Sequence, residues 1–169
     1  MKITSIVIFI FLLSSCWPSI VSFKDTGSTP EEWKTFTVKT LEVNAPNCPL
    51  SYSPLLTEQL KDGIQNNTRL LLNTQYGKGE VNLEGLIASY NVAPLAIQAN
   101  DNASKNRLTI SVQFTININK PKEESINLVS TRFADFDASA NLASVESKLL
   151  EEINTQVVQD VINKLLSNW

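Results

Sequence analysis

Few residues in this chain could do chemistry. Its 169 residues include no histidine and two cysteines, Cys16 and Cys48. Without histidine, a Ser-His-Asp triad, a Cys-His pair and imidazole acid–base catalysis are all excluded. Two thiols alone do not complete a zinc site or an iron–sulfur cluster. A nucleophilic role for Cys48, in Asn47-Cys48-Pro49, would lack a base to deprotonate the thiol. Cys48 therefore reads as a small packing residue at a strand–helix junction. A carboxylate mechanism would have to rest on a pair such as Glu80 and Glu84, which share one strand and read as surface residues. Five glycines are present, with neither GxGxxG nor GxxxxGKS/T among them, so no phosphate-cradling loop is visible. The residues point away from an enzyme.

Cys16 offers chemistry of another kind. Lys2 gives a minimal positive start, and Ile3 through Leu13 form an apolar run too short to span a bilayer as a mature helix. Leu13-Ser14-Ser15-Cys16 follows and looks like a bacterial lipobox. The small side chains let an extended peptide enter a peptidase, and the thiol is the atom that carries a diacylglycerol. The expectation is a signal peptide over 1–15 and a mature chain beginning at acylated Cys16, with no other cofactor. Acyl burial at about 0.8 kcal/mol per methylene makes several chains an effectively permanent anchor. Position 17 is Trp rather than the Asp that retains lipoproteins on an inner membrane, and Trp17 to Lys24 contains no acid. These features indicate an outer-membrane, periplasm-facing lipoprotein.

The surface suits a protein that touches other macromolecules. Charged residues make up 18% of the chain against an average of about 25%. Asn, Ser, Thr and Gln supply 54 of the 169 residues, and the net charge of −3 does not favour nucleic acid. Residues 16–34, with two prolines and Gly27, read as a tether. A strand with a bulge is expected near 35–43. Ser53-Pro54 reads as an N-cap and first helical residue of a helix over 54–66, striped by Leu56, Leu60 and Ile64. Arg69 to Leu72 reads as a short strand. Val81, Leu83, Gly85 and Ile87 alternate, then Ala88, Tyr90 and Val92 resume on the other parity. Leu108 to Ile118 alternates six apolar residues with Thr109, Ser111, Gln113, Thr115 and Asn117, a strand of roughly 36 Å with an uncharged outer face. Lys120-Pro121-Lys122 forms the turn to a partner strand over 126–133. A final amphipathic helix carries Leu142, Val145, Leu149, Ile153, Val157, Val161 and Leu165 on one stripe. Both helices must bury their stripes on a sheet. The expected fold is a single α/β (α+β) domain over 35–169, a two-layer sandwich of about four mostly antiparallel strands against two helices.

Three stretches carry a resemblance. They are Val92-Ala93-Pro94-Leu95-Ala96-Ile97-Gln98 running on through Ala103 to Ile110, then Arg132-Phe133-Ala134-Asp135-Phe136-Asp137, and Val145-Glu146 with the C-terminal Ile162-Asn163-Lys164 and Asn168-Trp169. With the lipobox and Ser22-Phe23, they make the chain resemble the lipopolysaccharide-assembly lipoprotein family, LptE, in its Bacteroidetes-type version. Trp17-Pro18 departs from the glycine common after the lipidated cysteine in that family. The resemblance implies a non-enzymatic plug inside a large LptD-like outer-membrane β-barrel translocon. It also implies help in assembling that barrel and contact with lipopolysaccharide. Anionic head groups would need cations, and Lys105 with Arg107, or Lys120 with Lys122, are the candidate contacts. Arg132 and Asp135 could instead form a structural pair. The alternative function is a periplasm-facing small-ligand or lipid binding module, or an envelope scaffold, which would call for a discrete apolar pocket. The sequons at Asn66 and Asn102 carry no meaning in a lipoprotein of this kind.

Overall fold

In the computed structural model, which describes residues 29–95 and 105–167, the elements run in the order β1 (Thr35–Val38), β2 (Glu42–Val43), α1 (Tyr52–Asn67), β3 (Leu71–Leu72), β4 (Val81–Pro94), β5 (Lys105–Ile118), β6 (Glu124–Asp137) and α2 (Leu142–Leu166). The lipobox, most of the 16–34 stretch, Asn102, Ala96 to Gln98, Ala103 and Asn168-Trp169 lie outside the described residues. The sheet order is β3-β1-β4-β5-β6, with β2 also against β4. The long strands β4, β5 and β6 form an antiparallel meander, while β1, β2 and β3 make parallel pairs. This is the α+β sandwich expected, with six strands where about four were expected: the strand near 35–43 is two, β1 and β2, and the short strand expected over 69–72 joins the ladder as β3.

The alternation of β5 sets the layering. Leu108, Ile110, Val112, Phe114, Ile116 and Ile118 are all buried. They face the same side as Leu56, Leu60 and Ile64 of α1 and Leu149, Ile153, Val157, Val161 and Leu165 of α2, in one core. In β4 the register passes from Ile87↔Val112 to Ser89↔Ser111, leaving Ala88 unpaired. This bulge returns Tyr90 and Val92 to the face of Val81, Leu83 and Ile87, which is why the parity changes in the sequence.

Two boundaries differ from the sequence reading for physical reasons. The parity change near 39–41 is an interruption between two strands, not a bulge within one. Leu41 turns into the core, and its backbone is satisfied by α1: its N–H donates to Thr57 Oγ1 at 3.1 Å and its carbonyl accepts from Ser53 Oγ at 2.5 Å. Ser53 is thus spent on Leu41 and does not cap the helix. The helix starts at Tyr52, whose N–H donates to the Pro49 carbonyl at 3.0 Å. Pro54 falls in the first turn, where a missing N–H costs nothing.

The packed unit also begins upstream of residue 35. Trp33 is 1% exposed, and its indole N–H donates to the Lys120 carbonyl at 2.7 Å, closing the base of the β5–β6 hairpin. Between the helices, Tyr52 O–H donates to Asn154 Oδ1 at 2.8 Å and Asn154 Nδ2 donates to Gln59 Oε1 at 2.7 Å. Tyr52 meets Tyr90 edge to face at 6.1 Å, and Tyr90 O–H bonds Glu146. Burial raises the pKa of both phenols above the usual tyrosine range. Among the described residues no helix is long and apolar enough to cross a membrane.

Candidate functional site

Opposite the helices, the sheet presents a second face built from the remaining side chains of β4, β5 and β6. The antiparallel register stacks them in cross-strand pairs. Ser111 Oγ and Thr131 Oγ1 lie 2.9 Å apart, Thr115 Oγ1 donates to Asn127 Oδ1 at 3.3 Å, and Asn117 Nδ2 donates to Glu84 Oε1 at 3.0 Å. From Thr109 to Asn117 the outward side chains of β5 are uncharged, as expected from the sequence. Cross-strand bonds hold Ser111, Thr115 and Asn117 in place, so the middle of β5 is polar without long solvated arms.

The candidate cations sit at the two ends of this face. At one end, Arg107 makes a bidentate pair with Asp135, Nε to Oδ1 at 2.7 Å and Nη2 to Oδ2 at 2.9 Å. Its guanidinium lies 3.6 Å from the centre of the Phe133 ring. The Arg107 hydrogen bonds hold the Asp135 carboxyl below its usual range, with a smaller contribution from the charge of Lys105. Lys105 is exposed opposite Asp137. At the other end, Lys120 and Lys122 occupy the β5–β6 connection. Lys120 Nζ stands 3.6 Å from Glu80 Oε1, whereas Lys122 is exposed. Lys105 and Arg107 share one face at one end of β5 and Lys120 and Lys122 the connection at the other, and fourteen residues of β5 separate the ends by about 40 Å.

The Arg132–Asp135 pair does not form. Residues three apart on a strand point to opposite faces. Asp135 faces outward to Arg107, while Arg132 points to the helix side and pairs with Asp160 of α2, Nε to Oδ2 at 2.8 Å. Ser130 Oγ donates to the same Oδ2 at 2.5 Å. Burial opposes ionisation of Asp160, but Arg132 and Ser130 outweigh it and hold the carboxyl below its usual range. Glu84 and Glu80 do not act as a pair: one is bonded to Asn117, the other to Thr35. Cys48 is half-buried and burial raises its thiol, which suits packing. Two features were missed in the sequence. Val129 and Phe133 are exposed apolar residues on the outer face of β6. The signal was there, since they break the parity set by Ile126 and Leu128.

The family model for lipopolysaccharide assembly, LptE, matches residues 38–165, from the end of β1 almost to the end of α2. The chain belongs to the LptE family. Among solved structures, this LptE-family chain is similar to lipoprotein B from Nitrosomonas europaea, described as uncharacterized, at 16% identity and a TM-score of 0.54 over 80% of this chain and 83% of that one. It is also similar to a hypothetical protein from Chlamydia trachomatis at 9% identity and a TM-score of 0.57, over 80% of this chain and 99% of that one. At these identities the likeness is one of fold. No curated protein matches the sequence.

Proposed function

We propose that this LptE-family chain is an outer-membrane lipoprotein, anchored through acylated Cys16 and facing the periplasm. It seats inside a large LptD-like β-barrel translocon, plugs the lumen, aids barrel assembly and supports insertion of lipopolysaccharide into the outer leaflet. The observation that carries this reading is the family match across residues 38–165. The physics supports it. A large barrel encloses water unless something fills it. A filler has to be rigid and polar without charges that need full hydration, and the outward side chains of β5 from Thr109 to Asn117 have that character, with Ser111, Thr115 and Asn117 bonded across to the neighbouring strands. The role is one of binding and occlusion, not catalysis.

Lipopolysaccharide contact belongs to the same proposal. Arg107 and Lys120 are engaged by Asp135 and Glu80, so Lys105 and Lys122 are the cations better able to meet anionic head groups. The test is to purify tagged protein from its native outer membrane in mild detergent and identify what co-elutes. A near-stoichiometric large β-barrel is the expected result. A lipoprotein that elutes alone, even after cross-linking, overturns the reading.

A further inference from the structure

The two edges of the sheet are not alike. One ends in the two-residue β3, a short edge that offers little to a partner. The other is β6, which pairs with β5 over all fourteen residues, from Lys105↔Asp137 to Ile118↔Glu124. No described strand lies on its other side. About half of its backbone N–H and C=O groups therefore point away from the sheet. Its sequence, ESINLVSTRFADFD, has no proline, glycine or lysine, and the inward-pointing Arg132 is paired with Asp160. Val129 and Phe133 stand on its outer face, 63% and 46% exposed. On the helix side, Leu128 and Arg132 of β6 and Asp160, Asn163 and Ser167 on and just after α2 line an open groove of about 580 Å³. A further strand laid along β6 would find a ladder beside it, apolar side chains above it and helix surface below.

We propose that β6 is a docking edge, and that an extended segment of another polypeptide joins it as the seventh strand of the sheet. A second copy of this chain does not fit. Antiparallel self-pairing about the centre of β6 would set Glu124 of each copy against Asp137 of the other, with Glu123 alongside, and like charges directly opposite destabilise a ladder. The same acids favour a segment with Lys or Arg near its ends. The groove holds a neutralised pair, Arg132 with Asp160, and Lys164 also lines it. This inference rests on the barrel reading above and assigns the segment to the barrel partner.

The test uses the detergent-purified complex. A benzophenone amino acid replaces Asn127, Val129, Thr131 or Phe133, one at a time, with Leu71 on the opposite edge as control. All four β6 side chains point away from the core, so the fold survives each change. Barrel co-elution is scored before irradiation. Strand addition gives cross-links to one barrel segment, with the contact advancing two residues for each two-residue step along β6 and none from Leu71. An intact complex that yields no cross-links, cross-links scattered over unrelated segments, or cross-links to a second copy of the lipoprotein overturns the docking edge and leaves the barrel reading standing. Absence of the barrel before irradiation overturns both.

Discussion

Glu80 ties the start of β1 to the turn after β5. Its Oε2 accepts from the Thr35 hydroxyl at 2.5 Å and the Thr35 N–H at 2.8 Å, and its Oε1 faces Lys120. The Thr35 hydroxyl does most to hold the carboxyl down, to about 2, against the opposing effect of burial. A pKa lowered by folding means that the ionised form is favoured in the native state. The resulting stability is fully present above the ordinary glutamate range near pH ~4.3 and is lost as pH falls toward 2. Glu80→Gln is therefore expected to cost about 1–2 kcal/mol at pH 7, allowing for solvent screening, and under about 0.5 kcal/mol at pH 2. Urea unfolding of both proteins across that range checks it. The arginines allow a second test. Arg132 with Asp160 is partly buried and shares a serine, whereas Arg107 with Asp135 lies on the open face. Asp160→Asn should cost about 1–2 kcal/mol and Asp135→Asn under about 0.5 kcal/mol. A double-mutant cycle should show coupling of about 1 kcal/mol between Arg132 and Asp160, and none between Arg132 and Asp135.

At the scale of elements, Gly63 lets α1 pack tightly against Val158 of α2. A Cβ there would stand 2.3 Å from Val158 Cγ1, closer than any packed carbon pair. Gly63→Ala should push α1 from α2 and cost about 1–3 kcal/mol despite alanine's better helix propensity. Adding Val158→Ala should recover most of the loss, and thermal unfolding of the single and double variants measures this. Helix stripes, the β5 alternation and the parity change after Ile87 were legible in the sequence because each depends on neighbours a few residues away, although the bulge that causes the change was not. The start of α1 was not, because Ser53 serves a carbonyl twelve residues back instead of its own helix. Likewise the break between β1 and β2 depends on Thr57 accepting from Leu41, and the partner of Arg132 lies 28 residues downstream. Candidate cations were identifiable by type. Which of them are already paired depended on the β5–β6 register, fixed only when the hairpin closes.

Seen whole, the molecule is a slab with cations at both ends of its long strands. No single anionic head group spans the roughly 40 Å between Lys105 and Lys122. The two ends must therefore act separately in any contact with lipopolysaccharide, and their surroundings differ. Near Lys105, Asp135 is neutralised by Arg107, which leaves Asp137, charged and accepting from the Ser139 hydroxyl and N–H at 2.5 and 2.8 Å, as the carboxylate beside the cation. Near Lys122 the acids Glu123 and Glu124 are exposed and follow it directly in sequence, so an approaching phosphate meets two carboxylates with the cation. The Lys105 end is then the better anion site. Lys105→Glu should weaken lipopolysaccharide binding to the purified complex several-fold at low ionic strength, and less as salt rises to physiological levels, where the Debye length is about 8 Å. Lys122→Glu should change it by less than about twofold, within the range of exposed charge pairs. The double variant should lose the product of the two single effects, as sites this far apart do not couple. Equal losses from the two single variants would mean that the exposed glutamates do not shield Lys122, and that the loading surface includes the hairpin as well as the opposite end of the sheet.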